Sequence, residues 1–243
     1  MKSLLTGSVI FFFTSSAWAG TFLETFNAAD LDEWQELIML DAEPGSWEVL
    51  DGELQAISHG GLTRLLTTGD KTWKDYTITA DIKPLKKHGP GNIAIAARVM
   101  ENWAVWCVIG NLPILEPDSR ASCYYGNFHD DDNLRLLKSK LSPFLKLNKW
   151  STLKLRISGN ILILWVNDKQ ILGGMEIPEP IAVPGLLEEF PEFLTGGAGF
   201  GLTNYTARFD NITITGDTIP NRGGFAVTPQ GKLATTWGQL KRF

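Results

Sequence analysis

The sequence is short of several things, and each shortage removes a class of protein. Among 243 residues only two are Cys and three are His. A disulfide-dense scaffold needs four or more Cys. A structural zinc site takes four ligands, so Cys107 and Cys123 cannot form one by themselves, and His59, His88 and His129 fall in separate loop-like segments. Basic charge is also scarce: 22 Lys and Arg stand against 27 Asp and Glu, a formal net charge of −5. Phosphate recognition needs a concentrated positive stripe, so this balance, read without basic clusters, argues against nucleic acid as a partner. Past the first residues no apolar run approaches the ~20 residues that span a bilayer, so no transmembrane segment is expected. Helical periodicity is weak, with Leu31–Leu40 holding at most a turn or two near Trp34. With 44% apolar and 20% charged residues the chain is nevertheless an ordinary globular one, not a disordered one.

What is present begins with a leader. Lys2 supplies a positive start, Leu4 to Phe13 form an apolar run, and Ala17-Trp18-Ala19 places small residues before a cleavage point at Gly20. This three-part pattern reads as a secretory signal peptide over residues 1–19. The mature chain is therefore expected to be secreted, periplasmic or extracellular. No Cys follows the cleavage point, so no lipid anchor is indicated.

The rest reads as strands. Short alternating or β-branched runs recur between turn signals, the all-β pattern. In Tyr76–Ile82 the set Tyr76, Ile78, Ala80 and Ile82 alternates with Thr77, Thr79 and Asp81, so one face is buried and one wet. Further strands are expected at Thr21–Phe26, Trp47–Leu50, Glu53–Ser58, Leu62–Leu66, Asn92–Met100, Trp103–Ile109, Ala121–Phe128, Leu134–Lys138, Ser151–Ser158, Ile161–Val166, Lys169–Leu172, Gly199–Thr203 and Ala207–Thr215. Asp51-Gly52, Gly89-Pro90-Gly91, Ser158-Gly159-Asn160 and Asn167-Asp168 supply the turns. Met175–Gly197, with four Pro, reads as a long loop. A single domain is expected over residues 20–216, followed by a tail over residues 217–243 that has no strand pattern.

The order of these pieces resembles the concanavalin A-like lectin/glucanase jelly roll. More narrowly, it is similar to the 3-keto-disaccharide hydrolase and laminin-G-like group of exported bacterial domains. The residues that carry the resemblance are Glu24-Thr25-Phe26 ahead of Trp34, Trp47 to Leu54, Asp75 to Ile82, Gly91-Asn92-Ile93 leading to Arg98, Trp150 to Leu155, Val166-Asn167-Asp168, and Gly199-Phe200-Gly201-Leu202 ahead of Phe209-Asp210-Asn211-Ile212. The resemblance implies two antiparallel sheets packed face to face, with a glycan held on the concave sheet. Its motifs are structural, and a fold hosts many functions.

Catalytic motifs are largely missing. Retaining glucanases of this fold place carboxylates alternately along one strand, about 5 Å apart, and no strand here carries that spacing. There is no Gly-x-Ser-x-Gly elbow and no His-Glu-x-x-His motif. Scattered carboxylates such as Asp81, Glu101 and Asp210 remain open to convergence in three dimensions. Asp130–Asn133 offers loop oxygens of the kind Ca²⁺ takes, although an acidic run in a solvated turn is the commoner case; no other cofactor is indicated.

Strand register gives the most specific reading. A hairpin about Glu101 pairs Ile95 with Cys107, Ala96 with Trp106 and Arg98 with Ala104. Placing Cys107 opposite Cys123 in the next strand then sets Trp106 against Tyr124, and both pairings agree about which face is which. On that register a disulfide between Cys107 and Cys123 is expected, two buried free thiols being the alternative. The other face presents Arg98, Trp106 and Tyr124 above Ala94, Ala96 and Ala104, a platform of rings and a donor suited to a sugar. The competing reading is a cross-strand aromatic pair covered by a loop. The sequence thus supports a secreted β-sandwich that binds a glycan or polysaccharide through Arg98, Trp106 and Tyr124. The alternatives are a glycoside hydrolase of the 3-keto-disaccharide type, or a non-catalytic envelope interaction protein whose groove its own loops fill.

Overall fold

The computed structural model describes residues 19–27, 31–111, 118–179 and 190–222. The expected leader, apart from Ala19, and everything past Arg222 lie outside the described residues. Among the described residues thirteen strands run in chain order: β1 Gly20–Glu24, β2 Gln35–Ile38, β3 Ser46–Leu50, β4 Glu53–Ile57, β5 Arg64–Thr68, β6 Tyr76–Met100, β7 Trp103–Gly110, β8 Arg120–Asn127, β9 Leu134–Leu141, β10 Ser151–Ser158, β11 Ile161–Val166, β12 Lys169–Glu176 and β13 Gly197–Gly216. Every pairing between them is antiparallel. No helix among the described residues is long and apolar enough to cross a membrane.

Two long strands tie the architecture together. β6 and β13 pair along nearly their whole length and bend, so that each serves two layers. In one layer their Tyr76 and Gly216 halves carry β10, β11 and β12 on one side and β1, β4 and β3 on the other. In the other layer the order is β2-β5-β13-β6-β7-β8-β9. The expected turn at Gly89-Pro90-Gly91 is therefore a corner within one strand, not a reversal. Asn204, at φ 53° in β13, donates its amide N–H to the Pro90 carbonyl at 2.7 Å and so holds the two bends together. A Cβ on Gly91 would lie 2.1 Å from the Thr203 oxygen, so only Gly fits that crossing.

The core lies between the layers. Alternation along β6 puts Ile78, Ala80, Ile82, Ile93, Ile95 and Ala97 into one buried cluster with Phe200, Phe209 and Leu155. Each large side chain of this kind contributes roughly 1.5–3 kcal/mol by leaving water. Cys107 and Cys123 face this core, directly opposed in β7 and β8, and form the disulfide.

Three expectations change. Leu31–Leu40 holds the edge strand β2 and one 3₁₀ turn, Met39–Asp41, not a helical segment. The strand is pinned because Leu37 pairs with Leu65, and because the Glu36 carboxylate accepts from Gly45 N–H at 2.7 Å and Trp47 Nε1–H at 2.8 Å. β12 reaches Glu176, so Met175 and Glu176 are strand, not loop. Finally, residues 217–222 do not stand apart from the core. Ile219 is buried among the core residues, and Arg222 exchanges backbone hydrogen bonds with Thr21 and Leu23 of β1.

Candidate functional site

The structure brings together two of the three residues that the sequence groups. Trp106 pairs with Ala96 on one side and Tyr124 on the other, their rings stacked with centroids 5.7 Å apart. Arg98 is elsewhere. The register slips between Ala97 and Met100, which pairs with Trp103, and Arg98 takes φ 51° at the slip. Its side chain therefore turns to the opposite face, where it is 0% exposed. Arg98 N–H donates to the Tyr76 hydroxyl at 2.8 Å, Nη1 to the Phe193 carbonyl at 3.0 Å, and Nη2 to Asp75 Oδ1 and the Gly159 carbonyl, each at 3.3 Å. Burial pushes the Arg98 guanidinium down and the Tyr76 phenol up. A cation so engaged is a clamp between loops, because an unpaired buried charge would be costly.

The Trp106 face is a second small core. Trp106, Ala94, Ala96, Ala104 and Val108 pack with Leu37, Leu65 and Phe128. Phe128 is carried over the sheet by its backbone: its N–H donates to the Asn102 carbonyl at 2.6 Å, and its own carbonyl accepts from Leu40 N–H at 2.8 Å. Trp106 is left 2% exposed. The floor of small residues that the register implied is present, and the covering loop that competed with the open platform is present as well.

The same layer stays open at its β2–β5 end. A groove of about 390 Å³ lies there, lined among others by Glu33, Gln35, Asp70, Lys71, Met100 and Glu101. Gln35 pairs with Thr67, which pairs with Gly199, so this end continues the row that holds Ala96 and Trp106. A neighbouring depression of about 240 Å³ shares Glu33 and Asp70 and runs on to Trp73 and Arg222. Lys71 Nζ meets Glu101 Oε1 at 2.8 Å, and Arg222 Nη1 meets Glu33 Oε1 at 3.3 Å. The Asp70 carboxylate accepts from the Thr72 hydroxyl and backbone N–H, which holds its pKa below the usual value. The Lys71 hydrogen bond and charge hold Glu101 low in the same way. The groove therefore presents fixed acceptors and a lysine donor beside the apolar edge of Met100.

Sequence reasoning missed this groove. Its polar residues lie on β2 and the turn before it, the turn after β5 and the β6–β7 turn, far apart in the chain and without motif spacing. The one available signal was that Gly69-Asp70 and Glu101 are turn residues ending strands that neighbour β13.

The scattered carboxylates converge only in part. Asp81 and Asp210 oppose one another across β6 and β13, and Asn211 Nδ2 reaches Oδ2 of each at 3.2 Å. Burial first, then Glu53, Asp81 and Glu24, push Asp210 up. Glu101 is at the β6–β7 turn, bound to Lys71, and does not join them. In the acidic turn, Asp130 Oδ1 accepts from Asp132 N–H at 3.0 Å and Oδ2 from Asn133 Nδ2 at 2.7 Å, so its carboxylate shapes the turn. Among the described residues no three His, Cys, Asp or Glu side chains come together as metal ligands.

Residues 21–215 match the model of the 3-keto-alpha-glucoside-1,2-lyase-like domain family. No curated protein matches the chain in sequence. Among solved structures, the carbohydrate binding module CBM66 from Bacillus subtilis aligns with a TM-score of 0.54 at 16% identity, over 75% of this chain and 94% of that one. The CBM2 module of the evolved Dit of Lactobacillus casei BL23 phage J-1 gives 0.53 at 11%, over 84% and 99%. A Bacillus subtilis protein of unknown function with a galectin-like fold gives 0.51 at 13%, over 83% and 96%. At these identities the likeness is one of fold alone, an antiparallel β-sandwich.

Proposed function

The chain belongs to the 3-keto-alpha-glucoside-1,2-lyase-like family, and from that premise we propose that it is an exported domain that binds a saccharide on the outer face of the β2-to-β9 layer. The saccharide enters the groove between β2–β5 and the β6–β7 turn. The observation that carries this reading is the groove itself. Its size falls within the ~300–1,000 Å³ usual for small-ligand sites, and it sets Glu33, Gln35, Asp70, Lys71 and Glu101 around one opening. Carboxylates and amides there can accept from and donate to vicinal hydroxyls, while Met100 offers an apolar contact for a sugar ring. Trp106 and Tyr124 support the floor beneath Phe128. The leader pattern at residues 1–19 and the Cys107–Cys123 disulfide favour an oxidising compartment outside the cytoplasm.

Family membership also favours a second reading, cleavage of a 3-keto-glycoside at the same groove. General acid catalysis by a carboxyl asks for a pKa raised toward the working pH. Asp70 and Glu101 are displaced the other way, and the raised carboxyl, Asp210, sits away from the groove. Asp70 and Glu101 thus stand as charged acceptors, which suits binding, while base-assisted cleavage is separated from it by turnover. The discriminating experiment exposes the processed chain to a glycan array and, separately, to a 3-keto-disaccharide with sugar release followed in time. Saturable binding without release supports the proposal. Release selects the second reading, and neither response contradicts both.

A further inference from the structure

The net negative charge conceals one strongly basic stretch. Seven of the 22 basic residues and none of the 27 acidic ones lie between Asn133 and Asn167, so the acidic balance of the whole chain is reversed locally and basic residues do cluster there. Among the described residues, the same stretch contains most of the large apolar side chains left in water, including Leu136, Leu141, Phe144, Leu147 and Trp150. The β9–β10 loop gathers both features. Leu145 packs against the core, Asn148 N–H donates to the Pro84 carbonyl at 2.7 Å, and Ser142 N–H donates to Ser119 at 3.0 Å. The backbone is thereby held against β6 while its side chains face out. Leu147 is 48% exposed and Trp150 41%. Lys87 Nζ lies 3.9 Å from the Phe144 ring centre, and Lys83 Nζ 4.8 Å from that of Trp150. Lys146 and Lys149 are exposed on the loop and have no ion-pair partner among the described residues.

The geometry points to the β9–β10 loop as a docking surface for an anionic phospholipid membrane. Charge complementarity names the occupant's sign, since this loop is basic on an otherwise acidic chain. The apolar groups narrow its class. A polyanionic glycan would use the lysines and the ring faces, but the ring faces are partly taken by Lys83 and Lys87, and Leu141 and Leu147 offer a sugar nothing. Leucine, phenylalanine and tryptophan beside lysines instead match the interfacial pattern, apolar tips entering the headgroup boundary while ammonium groups meet lipid phosphates. Docking by this loop would leave the saccharide groove, built by β2, β5 and the β6–β7 turn, free to bind.

The test uses the processed chain, its N-terminus verified by mass spectrometry so that no leader contributes. The chain is sedimented with vesicles of phosphatidylcholine alone and of phosphatidylcholine with phosphatidylglycerol. The proposal expects association with the anionic vesicles only, weakening as salt rises. It expects a loss of about tenfold or more both in Lys146→Glu/Lys149→Glu and in Leu147→Ser/Trp150→Ser, each checked by thermal melting for an intact fold. No association with anionic vesicles overturns the proposal. So does binding that the Leu147/Trp150 variant retains in full, and so does equal capture by dextran sulfate that is insensitive to that variant, which would assign the surface to a polyanion.

Discussion

The ring of Phe128 meets that of Trp106 edge-on, centroids 4.6 Å apart and planes at 62°. The contact closes the middle of the outer face. A Trp beneath such a cover acts as core, and Trp106→Ala should cost ~3–5 kcal/mol of stability, the range for truncating a buried aromatic. Urea unfolding monitored by circular dichroism measures it. A loss under about 1 kcal/mol would show that Phe128 does not seal the ring.

The Cys107–Cys123 bond closes a loop with a sequence separation of 16. Removing it by the double change Cys107→Ala/Cys123→Ala should cost ~3 kcal/mol in the chain-entropy account, or roughly 6–12 °C in melting temperature for a domain of this size. Calorimetry of the two proteins checks this, and an unchanged melting temperature would contradict it.

Ile219, 4% exposed, joins the core beyond the end of β13. Ile219→Ala should lower stability by ~2–4 kcal/mol, and truncation after Gly216 should lower it at least as much. Equal melting temperatures for the truncated and native chains would show that residues 217–222 contribute nothing to the core.

The fold was legible because its cause is local. Alternation in Tyr76–Ile82, the hairpin turn at Glu101 and the opposed cysteines each constrain register, and a one-residue slip would exchange the faces of every strand. The site was legible only up to the point where register breaks. Arg98 lies at a bulge, and a bulge reverses the side on which a residue emerges without any strong mark in composition. Phe128 and Leu40 meet through backbone groups, which no side-chain pattern announces. The groove residues are likewise assembled by topology, with Glu33, Asp70 and Glu101 drawn from three turns, so spacing along the chain carried no trace of them.

The groove carboxylates carry a pH signature. The Asp70 and Glu101 pKa values are displaced downward, so both groups stay charged to lower pH than ordinary carboxylates. The share of saccharide affinity carried by Asp70 and Glu101 should therefore be flat from about pH 7 to about pH 5 and decline only below the ordinary carboxylate range. Titration calorimetry across that window checks it. A fall centred near pH 6–7 would point instead to a histidine or a raised acid in the site.

The most direct test of the groove assignment is the affinity of a saccharide identified on the array, measured by titration calorimetry for the native chain, Gln35→Ala and Glu101→Gln. Losing a hydrogen bond to a charged group costs roughly 1.5–3 kcal/mol, so Glu101→Gln should bind about tenfold or more weakly, with its melting temperature unchanged because Glu101 is exposed at a turn. Gln35→Ala should weaken binding in the same direction. Native affinity in both variants would place the saccharide elsewhere on the molecule and contradict the account.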